Sequence, residues 1–144
     1  VEASYDYSVD GSVSSFESAA FSDGYEYALE FNNLSNISGN GFQLQFYLET
    51  DAAYTAAFTL KTMGSVNNEL MGWLEFHNSR LATNIKYCDG AGRDEAVLSF
   101  DTGLTGVFWG GLARLTTAQK TGKVKILSTG STDNGVVKLY RRVV

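Results

Sequence analysis

Tyr25 to Thr50 reads YEYALEFNNLSNISGNGFQLQFYLET. In its first part Tyr25, Tyr27, Leu29 and Phe31 alternate with Glu26, Ala28 and Glu30, the period of two expected of a strand with one buried face. A loop rich in Asn, Ser and Gly follows. Then Phe42, Leu44, Phe46 and Leu48 alternate with Gln43, Gln45, Tyr47 and Glu49. A slip of one residue in either strand would turn four large apolar side chains into water, so the register is strongly specified. Burying a Phe or Leu stabilises the fold by about 1.5–3 kcal/mol, so these inward residues are enough to found the core of a small β domain. The stretch carries no catalytic chemistry.

The same period spreads outward in both directions. Val1, Ala3, Tyr5, Tyr7 and Val9 alternate, which marks residues 1–9 as an edge strand or arm. Asp10-Gly11 is a turn signal, Val13 to Phe21 is weaker strand material, and Ser22-Asp23-Gly24 is a second turn. Downstream, Tyr54, Ala56, Phe58 and Leu60 alternate; the alanines there favour helix, but the spacing of the apolar residues favours strand. Gly64 to Asn68 reads as a loop. Glu69 to His77 reads as a strand with Leu70, Gly72, Leu74 and Phe76 inward and Met71 and Trp73 outward. Thr83 to Cys88 is a short strand ended by Asp89-Gly90-Ala91-Gly92, and Glu95 to Phe100 is another. Leu104 to Leu115 follows, its Gly106, Gly110 and Gly111 suggesting a bulge or a close backbone approach. Lys123 to Ser128 and Val136 to Arg142 are strands on either side of a polar loop at Gly130 to Gly135. The expectation is an all-β chain of about ten short strands, a single antiparallel β-sandwich of Greek-key or jelly-roll type spanning residues 1–144. No proline occurs, so edge strands must be protected by charges, bulges or neighbouring subunits.

Composition narrows the function. The chain has 144 residues, 44% of them apolar and 13% aromatic, which suits one domain with a real core. No apolar run approaches the ~18 residues of a membrane-crossing helix, so no membrane partner is expected. A net charge of −5 argues against nucleic acid, whose phosphates need a basic surface. The charge is unevenly spread: residues 1–60 carry nine acids and no Lys or Arg, while residues 61–144 carry seven acids and eleven bases. Either strands from the two halves interleave and even out the surface, or acidic and basic patches lie on different faces and help the chain pack against copies or partners.

Cys88 stands alone, which excludes an intrachain disulfide and a multi-cysteine zinc site and leaves a small semi-buried thiol, ahead of a disulfide between chains. His77 is the single histidine, so nucleophilic triads and multi-histidine metal sites have little material. Asp89-Gly90-Ala91-Gly92-Arg93-Asp94-Glu95 gathers three carboxylates but lacks EF-hand spacing and reads as a solvated turn. No signature marks a carboxylate pair for glycoside hydrolysis. Asn33 and Asn36 open Asn-x-Ser sequons, where Asn and Ser are also ordinary turn residues. No enzyme activity, cofactor or metal is therefore expected. The remaining binding signal is aromatic: Tyr47, Trp73 and Trp109 stand on strand faces opposite the predicted core. Three readings are open, a sugar-stacking platform, the anchors of a protein interface, or core beneath a loop.

The order of patterns resembles a known group. A small-polar lead-in ends in YxYxLxFxNL at Tyr25 to Leu34, a Gly/Asn loop leads to GxQLQFYLET at Gly41 to Thr50, and the chain ends in Gly122-Lys123-Val124-Lys125-Ile126 and then GxVKLY at Gly135 to Tyr140. This resembles the small β-sandwich structural proteins of tailed bacteriophages, found as head decoration (cement), fibre or tail-associated subunits. Trp73 and the DGAGRDE loop depart from the pattern. The resemblance implies a virion protein without catalysis that stabilises the particle by contact with capsid or tail subunits and with copies of itself, often as a trimer. Met71, Trp73, Arg141 and Arg142, with the aromatics Tyr47 and Trp109, are the candidate interface residues. The alternative is a carbohydrate- or receptor-binding module on the same fold; a hydrolase would need two close carboxylates in a cleft.

Overall fold

The structure, a computed structural model, describes residues 2–36, 42–61, 69–82, 86–95, 98–99, 103–104, 107–115 and 117–144. None of these is helical, and every strand pairing among them is antiparallel. In chain order the strands are β1 (Glu2–Glu17), β2 (Tyr25–Asn36), β3 (Phe42–Leu48), β4 (Ala53–Tyr54), β5 (Phe58–Lys61), β6 (Glu69–His77), β7 (Lys86–Glu95), β8 (Leu98–Ser99), β9 (Gly103–Leu104), β10 (Val107–Leu115) and β11 (Thr121–Val143). β8 and β9 pair with each other, and the others form one nine-stranded sheet.

β11 organises that sheet. Its C-terminal half pairs with β2, from Val136↔Asn32 to Val143↔Tyr25, and its N-terminal half pairs with β3, from Lys123↔Tyr47 to Ser128↔Phe42. β1 accompanies both halves, from Glu2↔Arg141 to Glu17↔Lys125. Beyond β2 the sheet continues through β6 and β7 to β10, and beyond β3 it continues to β4 and β5. Two arms thus share one strand.

Alternation decides which faces meet. Tyr27, Leu29 and Phe31 of β2, Leu74 and Phe76 of β6, and Val137 and Leu139 of β11 are buried on the inner face of the first arm. Phe42, Leu44 and Phe46 of β3, with Val124 and Ile126 of β11, are buried on that of the second. The two faces make one core in a sandwich-like arrangement. The Phe46 ring stands edge-on to Phe76 at 5.9 Å, and Phe21, from the β1–β2 connection, stacks on Tyr27 at 4.0 Å and lies 5.8 Å from Phe76. The buried Tyr27 hydroxyl is satisfied by the Ser22 backbone N–H, which donates to it at 2.6 Å. Arg80, in the turn after β6, ties the ends of the arms together. Its guanidinium reaches Asp23 before β2, Glu49 after β3, and the Thr121 carbonyl at the start of β11. A Cβ at Gly122 would lie 3.0 Å from the Glu49 side chain and 3.3 Å from the Tyr47 ring, so a larger residue there would have to move these side chains by a few tenths of an ångström.

Several strands are longer than their sequence signals suggest. Asp10-Gly11 is not a turn: β1 runs through it, with register shifts flanking Val13. The expected loop at 130–135 lies within β11, again at a register shift against β2. DGAGRDE is not a solvated turn but the body of β7, held between β6 and β10. β10 pairs with β7 without a register shift from Val107 to Leu115, so Gly110 and Gly111 sit in a regular ladder rather than a bulge. The expected strand at Tyr54 to Leu60 is split into β4 and β5, both on β3. The loop at 64–68 lies outside the described residues. β1 pairs only with β11 among the described residues, and its three register irregularities are the bulges that keep an edge from recruiting another strand.

Two outcomes test this architecture. Leu139, fully buried where the first arm meets β11, is expected to cost about 3 kcal/mol on Leu139→Ala, whereas Leu81→Ala at the exposed turn is expected to stay within about 0.5 kcal/mol; urea midpoints at constant slope decide this. Burial pushes the Cys88 thiol from 9.0 up to about 12, with Asp89 adding to the shift. A raised thiol value means that the unfolded chain ionises first, so stability is whole below about pH 9 and is lost as pH rises toward 12. Cys88 is accordingly expected to resist a thiol-specific reagent at neutral pH until the chain unfolds, and rapid native-state labelling would refute its burial.

Candidate functional site

The outer face of the first arm carries the polar half of the same alternation. Glu26, Ala28 and Glu30 of β2 lie between Trp73, Glu75 and His77 of β6 and Tyr140 and Arg142 of β11, and together they line a groove of about 350 Å3. Ala28 explains the depression. It is in register with Glu75 on one side and Tyr140 on the other, and its single methyl leaves a gap between larger neighbours. Trp73, opposite Glu30, forms a wall of the groove with 45% of its surface exposed.

The polar groups of this face are held in place by one another. Arg142 donates from Nε and Nη2 to Glu26 Oε2 at 3.1 and 2.8 Å. That hydrogen bond pushes the guanidinium above its ordinary value, and the charges of Glu26 and Glu75 add to the effect. The Tyr140 hydroxyl donates to Glu30 Oε2 at 2.7 Å. At the β6–β7 end, His77 Nε2 lies 2.6 Å from Asp89 Oδ1 and 3.5 Å from Glu75 Oε2. The face therefore presents an exposed indole, fixed carboxylates and one imidazole. These are groups for stacking, hydrogen bonding and cation binding.

The expected interface residues divide between places. Trp73 and Arg142 share the groove, and Met71 stands half-buried on the same face two residues before Trp73. Arg141 also borders the groove, and its guanidinium lies 4.4 Å from the centre of the Tyr25 ring. Tyr47 is on the second arm. It is half-buried against Tyr54, with ring centres 5.2 Å apart, and Lys123 Nζ lies 5.2 Å from its centre. Trp109 belongs to β10, opposite Gly92; its side chain lies outside the described residues. Sequence reading missed Glu26, Ala28, Glu30 and Tyr140, although all are outward positions of strands it identified. It also missed the meeting of His77 with Glu75 and Asp89. The Glu75–His77 spacing was visible, but Asp89 had been assigned to a turn.

Acids and bases from the two parts of the sequence meet within the chain. The described Lys and Arg contacts to carboxylates each join an acid from residues 1–60 to a base from residues 61–144. Lys123 and Lys125 meet Glu17, Arg142 meets Glu26, Arg80 meets Asp23 and Glu49, and Lys120 meets Asp23. Among the described residues, then, the halves interleave.

No protein-family model, curated protein or solved structure matches this chain.

The interleaved pairs contribute to stability at acid pH. The Lys123 hydrogen bond, foremost, holds Glu17 below its ordinary 4.5, and the Lys120 hydrogen bond, with Arg80 adding, holds Asp23 below 3.8. Both folded-state values are depressed, so the contribution is present above those ordinary values and is lost as pH falls through the lower folded ones. Both groups are well exposed, so the effect is small. The double variant Glu17→Gln/Asp23→Asn is expected to lose a little stability at pH 7 and to show a shallower fall below pH 4, read from urea midpoints across pH.

Proposed function

We propose that this chain is a structural subunit of a tailed-bacteriophage particle, a capsid-decoration or fibre/tail-associated protein of the virion that works by protein–protein contact and catalyses nothing. The setting rests on the resemblance of Tyr25–Leu34, Gly41–Thr50 and Gly135–Tyr140 to that group. The contact role rests chiefly on one observation, the exposed Trp73 on a sheet face where Arg142 is bonded to Glu26 and Tyr140 to Glu30. Exposed Trp flanked by Arg and Tyr is the composition of an interface hot spot. Groups fixed before binding lose little entropy when a partner arrives.

The reading includes a sandwich of Greek-key or jelly-roll kind. What supports it is that the last strand, β11, returns to pair with β1, β2 and β3 and carries core residues of both arms. The partners would be capsid or tail subunits and further copies of the chain, with a trimer the expected closed form. A second reading has its own support. The indole beside Glu30 and Glu75 in an open groove is also how a sugar ring is held, by stacking on one face and hydrogen bonds at its rim.

Light scattering at low and high salt, with and without Trp73→Ala, tests the proposal. A discrete oligomer is expected in the wild type. It should weaken little at high salt, because the described Lys and Arg contacts to carboxylates lie within the chain, and Trp73→Ala should weaken it at least tenfold. A monomer at every salt concentration that binds a glycan through Trp73 would replace the contact role with the second reading. Oligomers untouched by Trp73→Ala would remove this face from the interface.

A further inference from the structure

We propose that Glu75, His77 and Asp89 form a binding site for a divalent transition-metal ion such as zinc, at the β6–β7 end of the outer groove. Each residue offers one ligand atom, and the three atoms lie within 4.8 Å of one another. Tetrahedral zinc with bonds of about 2.0–2.2 Å separates its ligand atoms by about 3.3–3.5 Å. The distances from His77 Nε2, 2.6 Å to Asp89 and 3.5 Å to Glu75, bracket that spacing. Side-chain adjustment on the order of 1 Å would complete the set.

The strand register supplies an independent reason for a cation. Glu75 and Asp89 are directly opposite on β6 and β7, and like charges in that relation destabilise a sheet. Nearby Arg142 is engaged by Glu26. His77, two residues beyond Glu75 on the same face, brings its ring nitrogen to both carboxylates. A divalent ion held between the three ligand atoms would offset both carboxylate charges. The donor set, one nitrogen and two carboxylate oxygens, suits zinc, cobalt or manganese better than calcium or magnesium, which favour oxygen alone. Ala28, in register with Glu75 on its other side, leaves the groove side open for water or a groove ligand as a further donor. The three residues stand on directly paired strands, so little backbone ordering is needed. The site is independent of the contact role proposed above.

Calorimetric titration of Zn2+ into the chelator-stripped full chain tests it, alongside thermal unfolding with and without zinc. One ion per chain and a raised unfolding temperature are expected. Binding should weaken as pH falls, because protons compete for all three ligands. His77→Ala and Asp89→Asn should each weaken binding at least tenfold and abolish the thermal shift, with Glu75→Gln as a milder third variant. All three positions are on the outer face, and urea midpoints without metal would verify that the variants fold. Ca2+ should produce neither signal. Wild-type chain with no saturable zinc binding, or variants that bind zinc as the wild type does, would overturn the assignment.

Discussion

Both layers of this molecule depend on the pairing of β11. A 23-residue strand is long for a small domain, and this one serves two layers at once. Val137 and Leu139 enter the core from the first arm, and Val124 and Ile126 enter it from the second. β1 accompanies β11 through both halves, so the same pair of strands joins the two layers. A shift of β11 by one residue would reverse the faces of both arms together, exposing Leu139 and Ile126 in the same move. The Arg80 contacts hold the other end of this arrangement, where β11 begins beside the end of β3.

The uneven charge of the chain follows from the same pairing. The basic residues of β11 lie against strands from the acidic first part: Lys123 and Lys125 reach Glu17 beyond one side, and Arg142 reaches Glu26 on the other. Exposed pairs of this kind contribute little stability individually. Their value is in specifying partners, since an acidic strand set beside another acidic strand would be penalised along its length. The charge pattern reads best as support for strand order.

Much of the inner face was legible in the sequence because alternation is a local property. Tyr27, Leu29, Phe31, Phe42, Leu44, Phe46, Leu74 and Phe76 are buried as their spacing requires. Strand lengths were not legible, because Asp-Gly and polar glycine-rich runs signal turns only in the absence of partners. At Asp10-Gly11 and across 130–135 the chain is held in a sheet and accommodates the poor strand formers by shifting register. At DGAGRDE the flanking strands β6 and β10 impose a regular ladder, since tertiary pairing overrides intrinsic preference in sheets. The candidate site inherits both results. Trp73 and Arg142 were accessible as outward positions of recognised strands. The position of Asp89 beside His77 was hidden by the misread of β7.

The outer groove is a consequence of how the core is built. Once Tyr27 and Leu29 are fixed inward, Glu26, Ala28 and Glu30 must face outward. The partners of Ala28 on both sides are set by the register that seats Leu29 between Leu74 and Leu139. The depression beneath Trp73 therefore cannot be moved along the sheet without displacing buried residues. Side chains mounted on paired strands, and already bonded to each other as Tyr140 is to Glu30, keep their geometry in the absence of a ligand. A face made in this way favours recognition by a fixed arrangement over adaptation by loops, and it links what the chain binds to the stability of its core.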